Sequence, residues 1–526
     1  MWTFISFITF TGFVAFYSWY RLRNQNLKSS DGYFLGGRSL SAIVIAGSML
    51  LTNISTEHLV GMNGSSYKNG LIIITWEVTA TLGLILGAIY FVPRYLKMGL
   101  TTIPKFLELR FDKSTRTIVA ILLIMSFIFT LLPIVLYTGA INFENIFDVS
   151  GVFGVTTQQG IWITVVITGV IGSLYSIFGG LKAVAISDTI NGVGLLIGGL
   201  LIPTIALLNI GDGNLIAGID EVYSKIPEKF NVIGTRDSVL PFGTLFTGVV
   251  IIQIYFWSMH QTIIQRALGA KNLETAQKGL LLTGMFKILV PIIIAVPGVI
   301  GFYYFGDSLY GDQDTIYPEL VKKVLPVYLI GFFAAVLMGA ILSTFNSVIN
   351  SAATIFTIDI YKSHFNKKAT ELKMVRVGKA CSAVLAVFAI LIAPLMSNAP
   401  EGLYQLMQKL NGFFYVPLGA IMIAGFFLKK VSPAGAKVSL AAGIAFYFLT
   451  TFIVDTGIHF VHLFGIMFLI MIATMYIVSY FRPITQIFHE EDAHVIDLKE
   501  WKYAKHAAVI IAAITLSVYL WLGRFV

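Results

Sequence analysis

Five side chains able to carry charge or make several hydrogen bonds, Asn53, His58, Glu77, Lys287 and Gln408, lie inside runs that are otherwise apolar. A carboxylate, an ammonium, an imidazole and two amides make a balanced set of donors and acceptors, suited to a neutral, hydroxyl-rich molecule. Trp257 adds an aromatic face against which a sugar ring can stack. A second set lies apart from the first: Ser343 and Thr344, with Asp188 nearby and the backbone carbonyls around Leu51 and Ile54. Hydroxyls and carbonyls are hard oxygen ligands without full negative charge, the chemistry of a weakly held monovalent cation. Each residue also has a plainer reading. Ser, Thr and amide side chains glue membrane helices together, a buried Glu–Lys pair can be structural, and Trp257 can be packing or interface belt. Glu57 stands beside His58 but points about 100° away on a helix, so its role stays open.

These residues need elements that hold polar groups at depth. The stretch Leu51-Thr52-Asn53-Ile54-Ser55-Thr56-Glu57-His58 interrupts an apolar segment, with 41–50 before it and 59–62 after it. Hydrocarbon offers no water to an unpaired backbone group, so such a break survives only where it faces a protein-lined cavity. Discontinuous helices of secondary transporters use this device for ions and solutes. Counted from the ends of their runs, Glu77 lies about 10 Å deep and Gln408 about 9 Å, while Asp188 is about 8 Å from the opposite face.

The chain is 526 residues long, 56% hydrophobic and only 12% charged. Apolar runs long enough to cross a ~30 Å core recur throughout. About fourteen are expected: 2–20, 37–63, 70–98, 116–147, 158–178, 183–210, 240–266, 275–305, 327–360, 374–396, 403–428, 434–454, 458–481 and 505–524. The composition therefore predicts an all-α integral membrane protein. The net charge of +9 is concentrated in alternate loops, around Arg21, Arg23, Lys28 and Arg38, around Lys97 to Lys113, at Lys271 and Lys278, around Lys362 to Arg376, and at Lys429, Lys430 and Lys437. The intervening loops are mixed or acidic, with Asp148, Asp212, Asp307, Asp314, Glu401 and Asp455. This pattern puts both termini outside the cytoplasm and forms no basic, aromatic-studded groove for nucleic acid. With Arg21 and Arg23 after it and no basic residue before it, the first span is expected to be retained rather than cleaved. The loops 211–239 and 482–504 are too short to bury a separate core. The single Cys381 excludes an intrachain disulfide and argues against a thiolate metal site. No phosphate-cradling loop, HExxH helix or nucleophile–base pair is present, so neither an enzyme nor an ATP-driven pump is expected.

Several ordered motifs resemble a known family. Asp31-Gly32-Tyr33-Phe34-Leu35-Gly36-Gly37-Arg38 and Tyr175-Ser176-Ile177-Phe178-Gly179-Gly180-Leu181-Lys182-Ala183 are two of them. Gln265-Arg266, Gln277-Lys278-Gly279, Asp359-Ile360-Tyr361-Lys362 and Lys430 followed by Gly435-Ala436 continue the match, with Phe426 where an aliphatic residue is usual. Together they resemble the sodium:solute symporters, within them the sodium–glucose/galactose branch, over almost the full length. The resemblance implies a LeuT-type core of five plus five inverted helices in a single transmembrane domain. Residues 1–36 would be an extra helix and loop, 37–210 the first repeat, 240–428 the second, and 429–526 further helices. A polar-interrupted helix opens each repeat, at Asn53 and at Gln253-Ile254-Tyr255-Phe256-Trp257.

The same resemblance assigns roles. Sodium would be bound by the carbonyls of Leu51, Ile54 and Ala340 and the hydroxyls of Ser343 and Thr344, with Asp188 on its exit route. Solute would be bound by Asn53, His58, Glu77, Lys287 and Gln408, with Trp257 and Tyr137 close by. Met62, Trp76 and Tyr404 would form an outer gate, and Phe256 an inner gate where several sugar carriers have tyrosine. Asn346 and Ser347 stand where members with a second sodium site carry small hydroxyl residues, which favours one sodium per cycle. No Arg or Lys lies between Ile118 and Ala140 to pair with a carboxylated solute. The expectation is sodium-coupled import of a neutral galactose- or glucose-like sugar across a plasma membrane, the bacterial inner membrane. Sodium is then the transported coupling ion, with no organic cofactor. The alternatives are another solute of the family (myo-inositol, proline, pantothenate or sialic acid) or an uncoupled membrane sensor or facilitator.

Overall fold

A computed structural model describes residues 2–22, 27–397, 402–484 and 488–523; the loop charges Arg23 and Glu401 lie outside these. The described residues are helical throughout apart from turns, loops and one isolated bridge between Leu40 and Ala270. In chain order the principal helices are α1 (Trp2–Leu22), α2 (Ala42–Asn53), α3 (57–69), α4 (70–97), α5 (Ile103–Arg110), α6 (Lys113–Phe147), α7 (Thr157–Ile210), α8 (Leu215–Lys225), α9 (Val249–Met259) and α10 (Gln261–Leu268). They continue as α11 (Leu273–Lys287), α12 (Val290–Phe305), α13 (Ile316–Val324), α14 (Val327–Phe365), α15 (Glu371–Ser397), α16 (Leu403–Phe427), α17 (Pro433–Ile453), α18 (Phe460–Phe481) and α19 (Ala504–Gly523). Helix starts carry the capping side chains that satisfy free amides: Ser41 accepts from Val44, Asp112 from Thr115 at 2.7 Å, and Thr156 and Gln159 form a reciprocal capping box.

Among the described residues, ten helices are long and apolar enough to cross a membrane, or eleven if the bent pair α11–α12 counts as one span. The structure thus supports fewer such helices than the roughly fourteen expected, and two of them are not single straight crossings. Helix α7 runs for 54 residues, about 80 Å if straight, far more than a ~30 Å core. It folds back at Gly180, whose φ of 62° and ψ of −175° is a conformation essentially reserved for glycine. The 41-residue stretch Glu57–Lys97 likewise reverses at Gly70, with φ 77°, where any Cβ would meet Lys229 O at 2.5 Å.

The break that the sequence marks at 51–58 is narrower in the structure. Leu51 to Asn53 complete the regular helix α2, the chain leaves helical geometry at Ile54 (φ −84°, ψ 88°), and a π-helical turn, Glu57–Met62, starts α3. Asn53, Ser55 and Thr56 favour this because their side chains compete with the helix for backbone partners, and Ile54 and Thr56 are β-branched. α2 lies against the second leg of α7, with Gly47 packed on Thr189, and that leg lies against α14, where Gly339 packs on Asn191. Small residues let these backbones approach closely, as membrane helices commonly do. The broken element is thereby wedged between α7, α14 and α16.

Candidate functional site

The break between α2 and α3 opens on a small central cavity. Its wall contains Asn53, Glu57, His58, Glu77, Gln253, Phe256, Thr344, Tyr404, Gln408, Asn411 and Tyr415. The free volume is about 50 Å³, room for a few waters and not for a sugar ring. Four of the five polar residues singled out by type therefore share one chamber.

Lys287 stands behind the wall. Its ammonium is wholly buried, pairs with the Glu77 carboxylate and donates to Asn53 Oδ1 at 2.5 Å. A buried charge persists only with such partners. α11 bends by 48° into α12 immediately after this lysine, beside Pro291. Trp257 is also outside the chamber: its indole N–H donates to Gln253 Oε1 at 3.0 Å, and Lys287 Nζ sits 5.0 Å from the indole ring centroid. Gln253 in turn donates to Trp76 O at 2.6 Å, so α9 is stitched to α4 through one amide. Tyr137 is half-buried on α6 and is not part of the wall.

His58 lies between two carboxylates, with Nδ1 3.5 Å from Glu57 Oε1 and Nε2 3.7 Å from Glu77 Oε1. Tyr404 covers it edge-on at a centroid distance of 6.0 Å. Met62 and Trp76 are almost wholly buried and do not line the cavity. Phe256 lines the chamber and stacks on His260 at 5.2 Å.

The oxygen cluster adjoins this chamber through α2. Thr344 Oγ1 donates to Thr52 O at 3.0 Å and reaches Leu51 O at 3.4 Å. Ser55 Oγ meets Ala340 O at 3.4 Å. The Ser343 hydroxyl lies by the buried Asp188 carboxylate, whose Oδ2 accepts from Ser48 at 2.6 Å. Oxygens from both sides of the break thus meet α14, and Thr344 borders the cavity as well as the cluster. Among the described residues, no group of three His, Cys, Asp or Glu side chains is arranged to hold a metal ion.

Several residues were not singled out from sequence. Glu57 lines the chamber beside His58, both carried by the π-helical turn Glu57–Met62 that follows the break. Asn411 and Tyr415 join Tyr404 and Gln408 on one face of α16, a polar stripe at helical spacing that the sequence does contain. Arg266, noted only within a motif, donates to Ser48 at 3.2 Å and to Ser347, and so braces the oxygen cluster.

A family model described as "Sodium:solute symporter family" matches residues 33–443. The chain is 41% identical over 521 residues to the uncharacterized symporter YidK of Escherichia coli (strain K12), covering 99% of this chain and 91% of that one. It is 33% identical over 441 residues to the sodium/glucose cotransporter of Vibrio parahaemolyticus, covering 80% and 79%. The solved structure of a Na+-coupled sialic acid symporter, in a substrate-bound outward-open state, superposes with a TM-score of 0.78 over 91% of this chain and 98% of that one. At 19% identity that likeness concerns the fold.

Proposed function

Because the chain belongs to the sodium:solute symporter family, we propose that it imports a neutral galactose- or glucose-like monosaccharide together with sodium, by alternating access. The observation that carries this reading is that one broken helix borders both the chamber and the oxygen cluster. Asn53 and His58 face the chamber, while the carbonyls of Leu51 and Thr52 meet Thr344 on α14. In this reading sodium is held by the carbonyls of Leu51, Ile54 and Ala340 and by Ser343 and Thr344, and leaves past Asp188. The solute meets Asn53, His58, Glu77 and Gln408. Lys287 holds Glu77 and Asn53 in position, and Trp257 and Tyr137 join the site as it opens. Met62, Trp76 and Tyr404 close it on one side and Phe256 on the other.

Sodium between α2 and α14 favours the arrangement that presents Asn53 and His58 to the solute, and it can do so only through its differential affinity for the two states. The architecture that goes with this is fourteen crossings, with five-helix repeats in 37–210 and 240–428, both termini outside, in a bacterial inner membrane. The glucose named for the Vibrio relative supports a sugar. A carboxylated solute is disfavoured because Lys287 is already engaged by Glu77.

The test is uptake by purified protein in proteoliposomes, with radiolabelled galactose, glucose, myo-inositol and proline, under an inward sodium gradient or a matched potassium gradient. A neutral sugar should accumulate above equilibrium with sodium alone. If no sugar accumulates, or if accumulation ignores the cation, the reading is wrong.

A further inference from the structure

Glu57 is buried in the chamber wall at 2% exposure, and its Oε2 has no hydrogen-bond partner. Its other oxygen lies 3.5 Å from His58 Nδ1, too long for a good hydrogen bond, and that nitrogen is also unpartnered. Glu77, by contrast, is neutralised by Lys287. Two residues of α16 share the chamber with Glu57 in the same condition. Asn411, 4% exposed, leaves Oδ1 unpaired while its amide nitrogen reaches Gln408 Oε1 at 3.4 Å; Tyr415, 1% exposed, has an unpaired hydroxyl.

A buried polar atom without a partner is destabilising, and a buried carboxylate more so. Three such groups, contributed by α3 and α16, face one cavity and leave their hydrogen-bonding capacity free for what enters it. Glu57 Oε2 and Asn411 Oδ1 accept hydrogen bonds and Tyr415 can donate or accept, so the set reads a donor-rich, uncharged group.

We infer that Glu57, Asn411 and Tyr415 form a second polar subsite that accepts hydrogen bonds from hydroxyls of the solute, and that Glu57 is the specificity-determining residue which demands a hydroxyl at that place. The inference rests on the sugar reading above and adds to it the end of the chamber where hydroxyls are read. Solute binding then ties α3 to α16 directly, apart from the contacts made by Asn53 and Gln408.

The experiment crosses residue with ligand. Purified wild type, Glu57→Gln and Asn411→Ala are titrated calorimetrically in sodium chloride with galactose, glucose and their single-deoxy analogues. Melting temperature and monodispersity confirm that each variant is folded. Wild type should lose roughly 10- to 100-fold in affinity when one particular hydroxyl is removed. Glu57→Gln should bind the parent sugar about as weakly and lose little further when that hydroxyl is absent, the coupling that a double-mutant cycle measures. Asn411→Ala should show a smaller version of the same coupling. Equal deoxy ladders for wild type and Glu57→Gln would overturn the subsite while leaving the sugar reading intact. A folded wild type that binds no neutral sugar would overturn both. A 2-amino sugar bound tighter than its parent by wild type, but not by Glu57→Gln, would mean that the carboxylate reads a cation and would also overturn the inference.

Discussion

At the scale of single residues, the polar groups fall into two sets that touch at α2. Ser343→Ala combined with Thr344→Ala removes both side-chain oxygens of the cluster, so half-maximal uptake should need on the order of tenfold more sodium. Gln408→Ala removes a hydrogen-bonding amide from the chamber alone and should weaken the solute by about five- to tenfold with little change in sodium demand. Uptake measured over a grid of sodium and solute concentrations checks both, and equal shifts in both ligands would contradict two separate sets. Glu77→Gln removes the negative charge that balances the buried Lys287 ammonium, leaving Asn53 Oδ1 as its hydrogen-bond acceptor and the Trp257 ring beside it. It should cost about 3–5 kcal/mol, read as a large drop in melting temperature of the purified protein. The residue types of Asn53, His58, Glu77 and Gln408, and their place inside otherwise apolar runs, were legible in the sequence. That Lys287 and Trp257 stand behind the wall, and that Glu57 belongs to it, was not, because side-chain direction at a break does not follow helical phase.

At the scale of elements, two backbone reversals and one break do most of the positioning. The fold-back at Gly180 sends the second leg of α7 beneath α2 and brings Asp188 to Ser48. A Cβ there would also approach Tyr33 O at 2.8 Å. Gly180→Ala should therefore cost about 1–3 kcal/mol, measured as a lowered melting temperature, whereas an alanine at Gly12, with open space and helical backbone, should be nearly neutral. The polar stretch 51–58 marked the break without its limits. Local side chains decide that a helix weakens there, but the last helical residue depends on which freed carbonyls find Thr344 across the gap.

At the scale of the molecule, the chamber is closed to anything as large as a sugar. Tyr404 and Phe256 line it, and Met62 and Trp76 are buried without lining it. In the proposed alternating-access cycle the orientation of the whole chain decides which opening faces the cytoplasm, and the alternating loop charge predicts both termini outside. On a Cys381→Ser background, an impermeant thiol reagent applied to intact cells should label a cysteine at the exposed Ser224 and spare one at the exposed Lys367. Labelling in the reverse pattern would invert the proposed topology, and with it the direction of the gates.

Hydropathy is a property of composition along the chain, so the sequence by itself determined the helical membrane class and the polar residues that hydrocarbon would not tolerate without a purpose. It also carried enough ordered motifs to resemble the right family. Only the tertiary structure decided which of those polar groups meet. The pairing of Lys287 with Glu77, the contact of Thr344 with α2, and the unpartnered oxygens of Glu57 and Asn411 join residues far apart in the chain. Such contacts depend on helix crossings and on the geometry of a break, which periodicity within one segment does not encode.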